Sequence, residues 1–367
     1  MARIFTKVHD THSSMFPLPE WAPNVHPLIV HFPIGILFTA AIFDLVGLVF
    51  RNQDFPRRAA MVLYVLGGIA AATAYFTGEA AADSVFLPTE ANALLTEHSD
   101  LGHYVFYFFG GYAVIRAATF FAGLERTYIV RVGLALLGVA GLGLLTYTAD
   151  HGAEMVFRYG VGVQAVNTKP VVPVSPSDSV VTGPRTMENG GWTWKPRRAA
   201  AWRAHMAIEG DLASSSLRDG GTQDGVPAGD VLGLTPGNGP VTIWFEHALE
   251  TAQIDAALNL DDFNGSVMIV HNLVDARNYH FTVLTDEEMR QGTSSNGDFY
   301  IMDAKPVRAD GWHRYRVVSD QTHFRAYMDE RLVTHGHGEA PPSGHVGIRL
   351  SGSGTVLLDY IQVVPVR

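Results

Sequence analysis

Four apolar runs, at about 28–50, 59–78, 101–122 and 129–149, limit what this chain can fold into. Each approaches the roughly 20 residues that a helix needs to cross about 30 Å of hydrocarbon. The mean hydropathy of +0.10 averages two unlike parts. The runs lie before residue 150, and the remainder is polar and rich in Gly and Pro. For 367 residues this predicts an α + β multidomain protein: an N-terminal four-helix transmembrane bundle and a C-terminal antiparallel β-sandwich.

The expected domains are an extramembrane segment over 1–23, a transmembrane domain over 24–165, a Pro-rich linker over 166–191 and a sandwich over 192–367. Residues 1–23 lack the apolar core and small-residue cleavage site of a secretory leader, so the first run is expected to serve as both signal and anchor. The absence of cysteine excludes disulfides, thiolate metal sites and c-type haem. A net charge of −10 argues against a nucleic-acid partner.

Loop charge predicts orientation. Arg51, Arg57 and Arg58 follow the first run, and Arg126 and Arg131 flank the start of the fourth. The connection from Glu79 to Asp100 holds acidic residues and no Lys or Arg. By the positive-inside rule the Arg-bearing loops are cytoplasmic. Both termini and the C-terminal domain are then periplasmic, on a bacterial inner membrane. Small residues, including Gly67, Gly68, Gly138 and Gly141, suit close helix–helix approach within a bundle.

This orientation places His26, His31, His98, His103 and His151 at the outer membrane face. Pro27 suits a first helical turn, which predicts His26 at the cap, and Pro33 predicts a kink near His31. Five positions separate His26 from His31 and His98 from His103, a rotation of about 140° on a helix. Neither pair can chelate from one helix face, so a ligand set would take one histidine per helix. His31 with His103 is the natural pair for the axial ligands of haem b. A metal site from His26, His98 or His151, with Glu79 or Asp83 as oxygen ligand, is the second alternative. Against both stands the leading expectation, that these histidines only cap helices or hydrogen-bond at the membrane boundary. Asp44 is expected to face the bundle or a partner, in an interhelical hydrogen bond or snorkelling near the cytoplasmic end rather than in a proton path.

The motif HPLIVHFPIGILF, with GAEMVFRYGVGV over 152–163, resembles an uncharacterised bacterial family of four-helix membrane domains. The resemblance covers about 20–165. It implies the bundle fold and attaches a haem or redox role to the histidines.

Beyond the linker, segments such as VTIWFEHA, QIDAALNL, GSVMIVHNL, YHFTVL, HRYRVVS, HFRAYMD, GHVGIRL and TVLLDYIQVV alternate apolar and polar residues between turns. They predict antiparallel strands. The run DGWHRYRVVSDQTHFRAYMDERLV followed by PPSGHVGIRL resembles the concanavalin-like jelly rolls of lectin-like and sugar-hydrolase-related proteins. The E-x-D-x-x-E carboxylate set used by retaining glycosidases of that fold is not found in the sequence, which leaves enzymatic activity open as the less expected reading.

Asp286, Glu287 and Glu288 are expected in a solvated turn, and Asp261, Asp262 and Asn264 in an ordinary turn rather than a Ca²⁺ loop. His335 and His337, in THGHGEAPP, are expected in a glycine-rich surface loop, with metal binding as the alternative. Trp192, Trp194 and Trp202 are candidates for glycan or partner contact, or for filling the sandwich core. The expected function is a scaffolding or binding subunit among membrane lipids. Its sandwich would dock on other subunits of a respiratory or photosynthetic complex. A haem or metal redox protein and a glycan-binding or sugar-modifying surface protein are the alternatives.

Overall fold

The computed structural model describes residues 24–163, 183–196, 202–219 and 230–366. The expected segment 1–23 and most of the expected linker lie outside these residues.

Five helices open the chain: α1 (His26–Ile29), α2 (His31–Val49), α3 (Asp54–Ala82), α4 (Asn92–Phe121) and α5 (Tyr128–Tyr159). Among the described residues, four helical stretches are long and apolar enough to cross a membrane: His26–Val49, Asp54–Ala82, Thr89–Phe121 and Tyr128–Tyr159. The break between α1 and α2 falls at Val30, where Pro33 has no N–H to offer the preceding turn. His26 is not the cap. It is the first residue of α1, and its backbone N–H donates to Asn24 Oδ1 at 3.2 Å. The last helix outruns its apolar stretch and takes in His151, which was expected beyond it. Gly160, at φ +67°, ends α5 in the left-handed conformation open to glycine, and its N–H bonds Val156 O at 3.0 Å. The YGVGV motif is therefore a helix stop.

The coordinates divide into two compact units. One comprises residues through Ser84 together with Gly102–Thr146, and the other Val85–Leu101 together with Tyr147–Arg367. In the first, Leu37, Ala40, Ala60, Tyr64, Phe109 and Tyr112 form the buried centre. Its glycines mark close approaches. A Cβ at Gly68 would lie 2.9 Å from both Ala113 Cβ and Phe109 O, and one at Gly67 would collide with Leu37. Gly133 and Gly143 meet nothing, so the small-residue pattern is used selectively.

Among the described residues, the second unit contains a sandwich of sixteen strands. These are β1 (Arg185–Thr186), β2 (Trp192–Trp194), β3 (Ala207–Glu209), β4 (Leu212–Asp219), β5 (Asp230–Pro236), β6 (Val241–Leu249), β7 (Ala252–Asn259) and β8 (Phe263–Asp275). They continue as β9 (Asn278–Leu284), β10 (Glu288–Ser295), β11 (Asp298–Pro306), β12 (Trp312–Asp320), β13 (His323–Met328), β14 (Arg331–His337), β15 (Gly344–Gly354) and β16 (Val356–Val364). One sheet has seven strands in the order β11-β10-β9-β8-β15-β6-β3. The other has nine, with the path β1-β2-β16-β7-β12-β13-β14 and β4 and β5 attached through β16. All recorded pairings are antiparallel, and inward residues such as Ile254, Ile269, Val317, Ile348 and Leu358 fill the space between the sheets.

The end of the expected linker is already strand: β1 pairs with β2, and the intervening turn is closed by Met187 N–H to Gly191 O at 2.7 Å. All eight expected segments fall in strands. Asp286 and Glu287 form an exposed hairpin turn, while Glu288 begins β10.

Candidate functional site

Within the first unit, His26 Nδ1 lies 3.3 Å from Thr77 Oγ1, and its ring fills the space beside Gly78. His103 stacks on Tyr75 at 4.9 Å and on Tyr107 at 5.0 Å between centroids. His31 is exposed, and among the described contacts none joins it to His103. Within the second unit, His98 Nδ1 lies 3.0 Å from Thr148 O, its ring against Gly152. The adjacent His151 is buried, with Nδ1 2.9 Å from Tyr147 O and Nε2 3.3 Å from Glu97 Oε1. Glu97 is thus a carboxylate facing His151. These four histidines tie helices by side-chain contacts.

Asp44 forms an interhelical ion pair: Arg116 Nη2 lies 2.8 Å from Asp44 Oδ1. Arg116 is almost fully buried, with Glu125 Oε1 3.7 Å from its Nε and the Tyr64 ring 5.1 Å from its guanidinium carbon. A buried cation between two carboxylates satisfies the rule that charge inside a membrane domain is paired. Asp44 alone signalled this group from sequence. Arg116 and Glu125 were missed because they sit in an apolar helix and a short loop, with no spacing linking them to Asp44.

The Val85–Leu101 segment and the nine-stranded sheet form a second polar cluster. Asn92 Nδ2 donates to Gln253 Oε1 at 3.0 Å, and Gln253 Nε2 donates to Asp255 Oδ2 at 2.7 Å. Arg316 donates from Nε to Asp255 Oδ1 at 2.7 Å and from Nη1 to Leu87 O at 2.9 Å, with Phe86 under its guanidinium. Apolar closure comes from Val318, Tyr327 and Val366 with Ala93 and Leu332. The loop expected only to connect two spans is therefore a cover for the outward face of β7, β12 and β13.

On the same outward face, His323, His335 and His337 gather. Their expected placement changes: His335 and His337 lie in strand β14, not in a loop, because β14 pairs with β13. His323 stands opposite His337 and Arg325 opposite His335. One potential ligand atom from each histidine lies within 4.8 Å of the others. His323 is buried, His335 is half-buried and His337 is exposed. Asp100 Oδ1 lies 3.5 Å from His323 Nε2. Nearby Asp320 has its carboxyl pushed up by burial, with its bond to Thr96 and the charge of Arg325 acting in the opposite direction.

Other expected sites resolve into structure. Asp261 accepts from Asn259 Nδ2 at 3.1 Å and from Gly311 N–H at 2.7 Å, as an ordinary turn residue. Trp192 and Trp194 are 0% and 3% exposed and Trp202 is 0%, all within the core. Surface glycan or partner contact through Trp192 and Trp194 therefore gives way to the core-filling reading, because their rings lie between the sheets. The conspicuous surface aromatics are instead Phe299 and Tyr300, 56% and 59% exposed, followed by Ile301 at 49%.

The fold defines a membrane protein with four apolar helical spans and a β-sandwich domain. Residues 22–165 match the family described as "Predicted membrane protein (DUF2231)", which covers both the HPLIVHFPIGILF and GAEMVFRYGVGV motifs. No curated protein matches this chain. Among solved structures, the chain is similar to a carbohydrate binding module from Bacillus subtilis, at 14% identity and TM-score 0.33, covering 43% of this chain and 99% of that one. It is also similar to a galectin-like protein of unknown function from Bacillus subtilis, at 11% identity and TM-score 0.36, covering 47% and 94%. A third is the Bacillus licheniformis β-glucanase, at 10% identity and TM-score 0.34, covering 48% and 99%. At this level the likenesses carry no argument about ligand or activity.

Proposed function

We propose that the protein is an integral membrane scaffolding subunit whose sandwich docks on a protein partner, as an accessory structural component of a larger membrane complex. The Arg-bearing loops support a periplasmic sandwich under the positive-inside rule. The observation that carries the docking reading is strand β11. It is the terminal strand of the seven-stranded sheet, and among the described residues its backbone ladder runs to β10 alone, while at its far end Asp303 Oδ2 accepts from His335 N–H of β14 at 3.1 Å. An open strand edge offers unpaired backbone groups to another chain, and natural edges are commonly blunted by charge, proline or bulges. Here the edge carries Phe299, Tyr300 and Ile301 in succession, each about half exposed or more. Phe299 and Ile301 point to one face of the strand and Tyr300 to the other, so exposed apolar side chains flank the edge on both sides. A partner strand or loop lying along β11 would satisfy the backbone and cover the apolar side chains together.

The test is the size of the particle released from the native membrane by mild detergent. The wild-type chain is expected in a complex larger than itself. Tyr300→Lys with Ile301→Lys is expected to release it as the free chain without altering its far-ultraviolet spectrum. An unchanged complex in that variant refutes docking through β11.

A further inference from the structure

We propose that His323, His335 and His337, with Asp100 beside them, form a binding site for a borderline divalent transition-metal ion, zinc before others. This goes beyond the docking reading and is independent of it. The site depends on one irregularity of the β13–β14 hairpin. Counting from the turn, Met328 faces Arg331 and Tyr327 faces Leu332, but Ala326 then faces Thr334. Val333 is the extra residue of a β-bulge. A regular ladder would oppose His323 to Gly336 and leave His335 and His337 on the other face, because side chains alternate along a strand. The bulge shifts the register by one, pairs His323 with His337 and brings the three imidazoles onto one face.

Their ring centroids are 4.6, 4.7 and 5.9 Å apart. Nitrogens bound to a tetrahedral zinc lie about 3.4 Å apart, from Zn–N distances of about 2.05 Å. Ligand atoms already within 4.8 Å can reach that spacing by side-chain rotation. Imidazole nitrogen in a chain without cysteine favours zinc, copper or nickel over calcium or magnesium. Asp100 supplies a carboxylate within reach of His323 Nε2, the usual outer-shell partner of a ligating histidine. Arg325 is the nearby opposing charge, with Asp320 and Asp100 on the other side of the balance. The exposed His337 side leaves an entry route and room for a water ligand. A bound ion would tie the terminal strand β14 to β13.

The test is calorimetric titration of zinc chloride into the untagged full chain in detergent near neutral pH, with zinc-edge X-ray absorption on the loaded sample. The expected result is one equivalent bound, with an imidazole-rich first shell. H335A/H337A is expected to abolish binding. Asp100→Asn should weaken binding about 10- to 100-fold, and H98A/H151A should retain it. The proposal is overturned if the wild type binds no zinc, if H335A/H337A binds as the wild type does, or if the first shell lacks imidazole. The absorption result is read on the wild type alone, so it decides the question even if a variant folds poorly.

Discussion

Acidification should destabilise the sandwich through two histidines enclosed between its sheets. His271 on β8 stands opposite His280 on β9, and the His280 ring stacks on Phe324 of β13 at 4.9 Å. Asn272 fixes the tautomer of His271. Its amide nitrogen donates to Glu250 O and Pro342 O, both at 2.9 Å, so its Oδ1 is the acceptor facing His271 Nδ1 at 2.9 Å. Burial holds both rings neutral. His271 is pushed down to about 3, aided by the neighbouring His280, and His280 to about 4. Above the unfolded value of about 6.5 neither state takes up a proton, and the contribution is intact. As pH falls through that value, the unfolded chain gains protons that the fold refuses until pH approaches 4 and below. Between about pH 7 and about pH 5 the linkage is ~2 kcal/mol per histidine, or ~4 kcal/mol for the pair. Denaturant unfolding of the detergent-solubilised chain, followed by tryptophan fluorescence in a Trp21→Phe background, measures this domain, because the other five of the six tryptophans, Trp192, Trp194, Trp202, Trp244 and Trp312, lie in it. His280→Phe preserves an aromatic against Phe324 and should remove ~2 kcal/mol of the acid-induced loss. An identical loss in wild type and variant over this window would refute the assignment.

Arg116→Met strands Asp44 and Glu125 as buried carboxylates and is expected to destabilise the bundle by ~3–5 kcal/mol, read as a lower unfolding midpoint in detergent. Gly68→Ala places a Cβ against Phe109 O and Ala113, with an expected loss of ~1–3 kcal/mol, whereas Gly143→Ala meets nothing and should be neutral in the same assay. Trp192→Ala should cost the sandwich ~3–5 kcal/mol as a core cavity, measured by denaturant unfolding. An effect below ~1 kcal/mol would contradict its enclosure.

The helices were legible because hydropathy acts over some 20 residues and needs no knowledge of partners. Strands such as HFRAYMD were legible because Phe324 and Ala326 alternate with outward His323 and Arg325. By contrast, β10 conceals its pattern: Gln291 is a buried polar residue and Gly292 presents no side chain to classify. The sequence RLVTHGH lost its strand signal at the bulge, where the alternation of Leu332, Val333 and Thr334 breaks step. The same break decided whether His335 and His337 met His323. Ion pairing between Asp44 and Arg116, 72 positions apart, likewise depends on helix packing rather than on spacing within either helix.

The Val85–Leu101 cover also makes the second unit discontinuous in sequence. Leu87 and Arg316 are joined across 229 positions, and Asn92 and Gln253 across 161. During synthesis the cover emerges early and must wait for its sheet, while Gly102–Thr146 goes to the other unit. Contacts of such separation carry a large loop-closure cost until their neighbours are in place. The sandwich can therefore assemble most of its strands from one continuous stretch, but its outward face is complete only with the Val85–Leu101 segment in place. Completion of that face reports that the two ends of the assembly line have met.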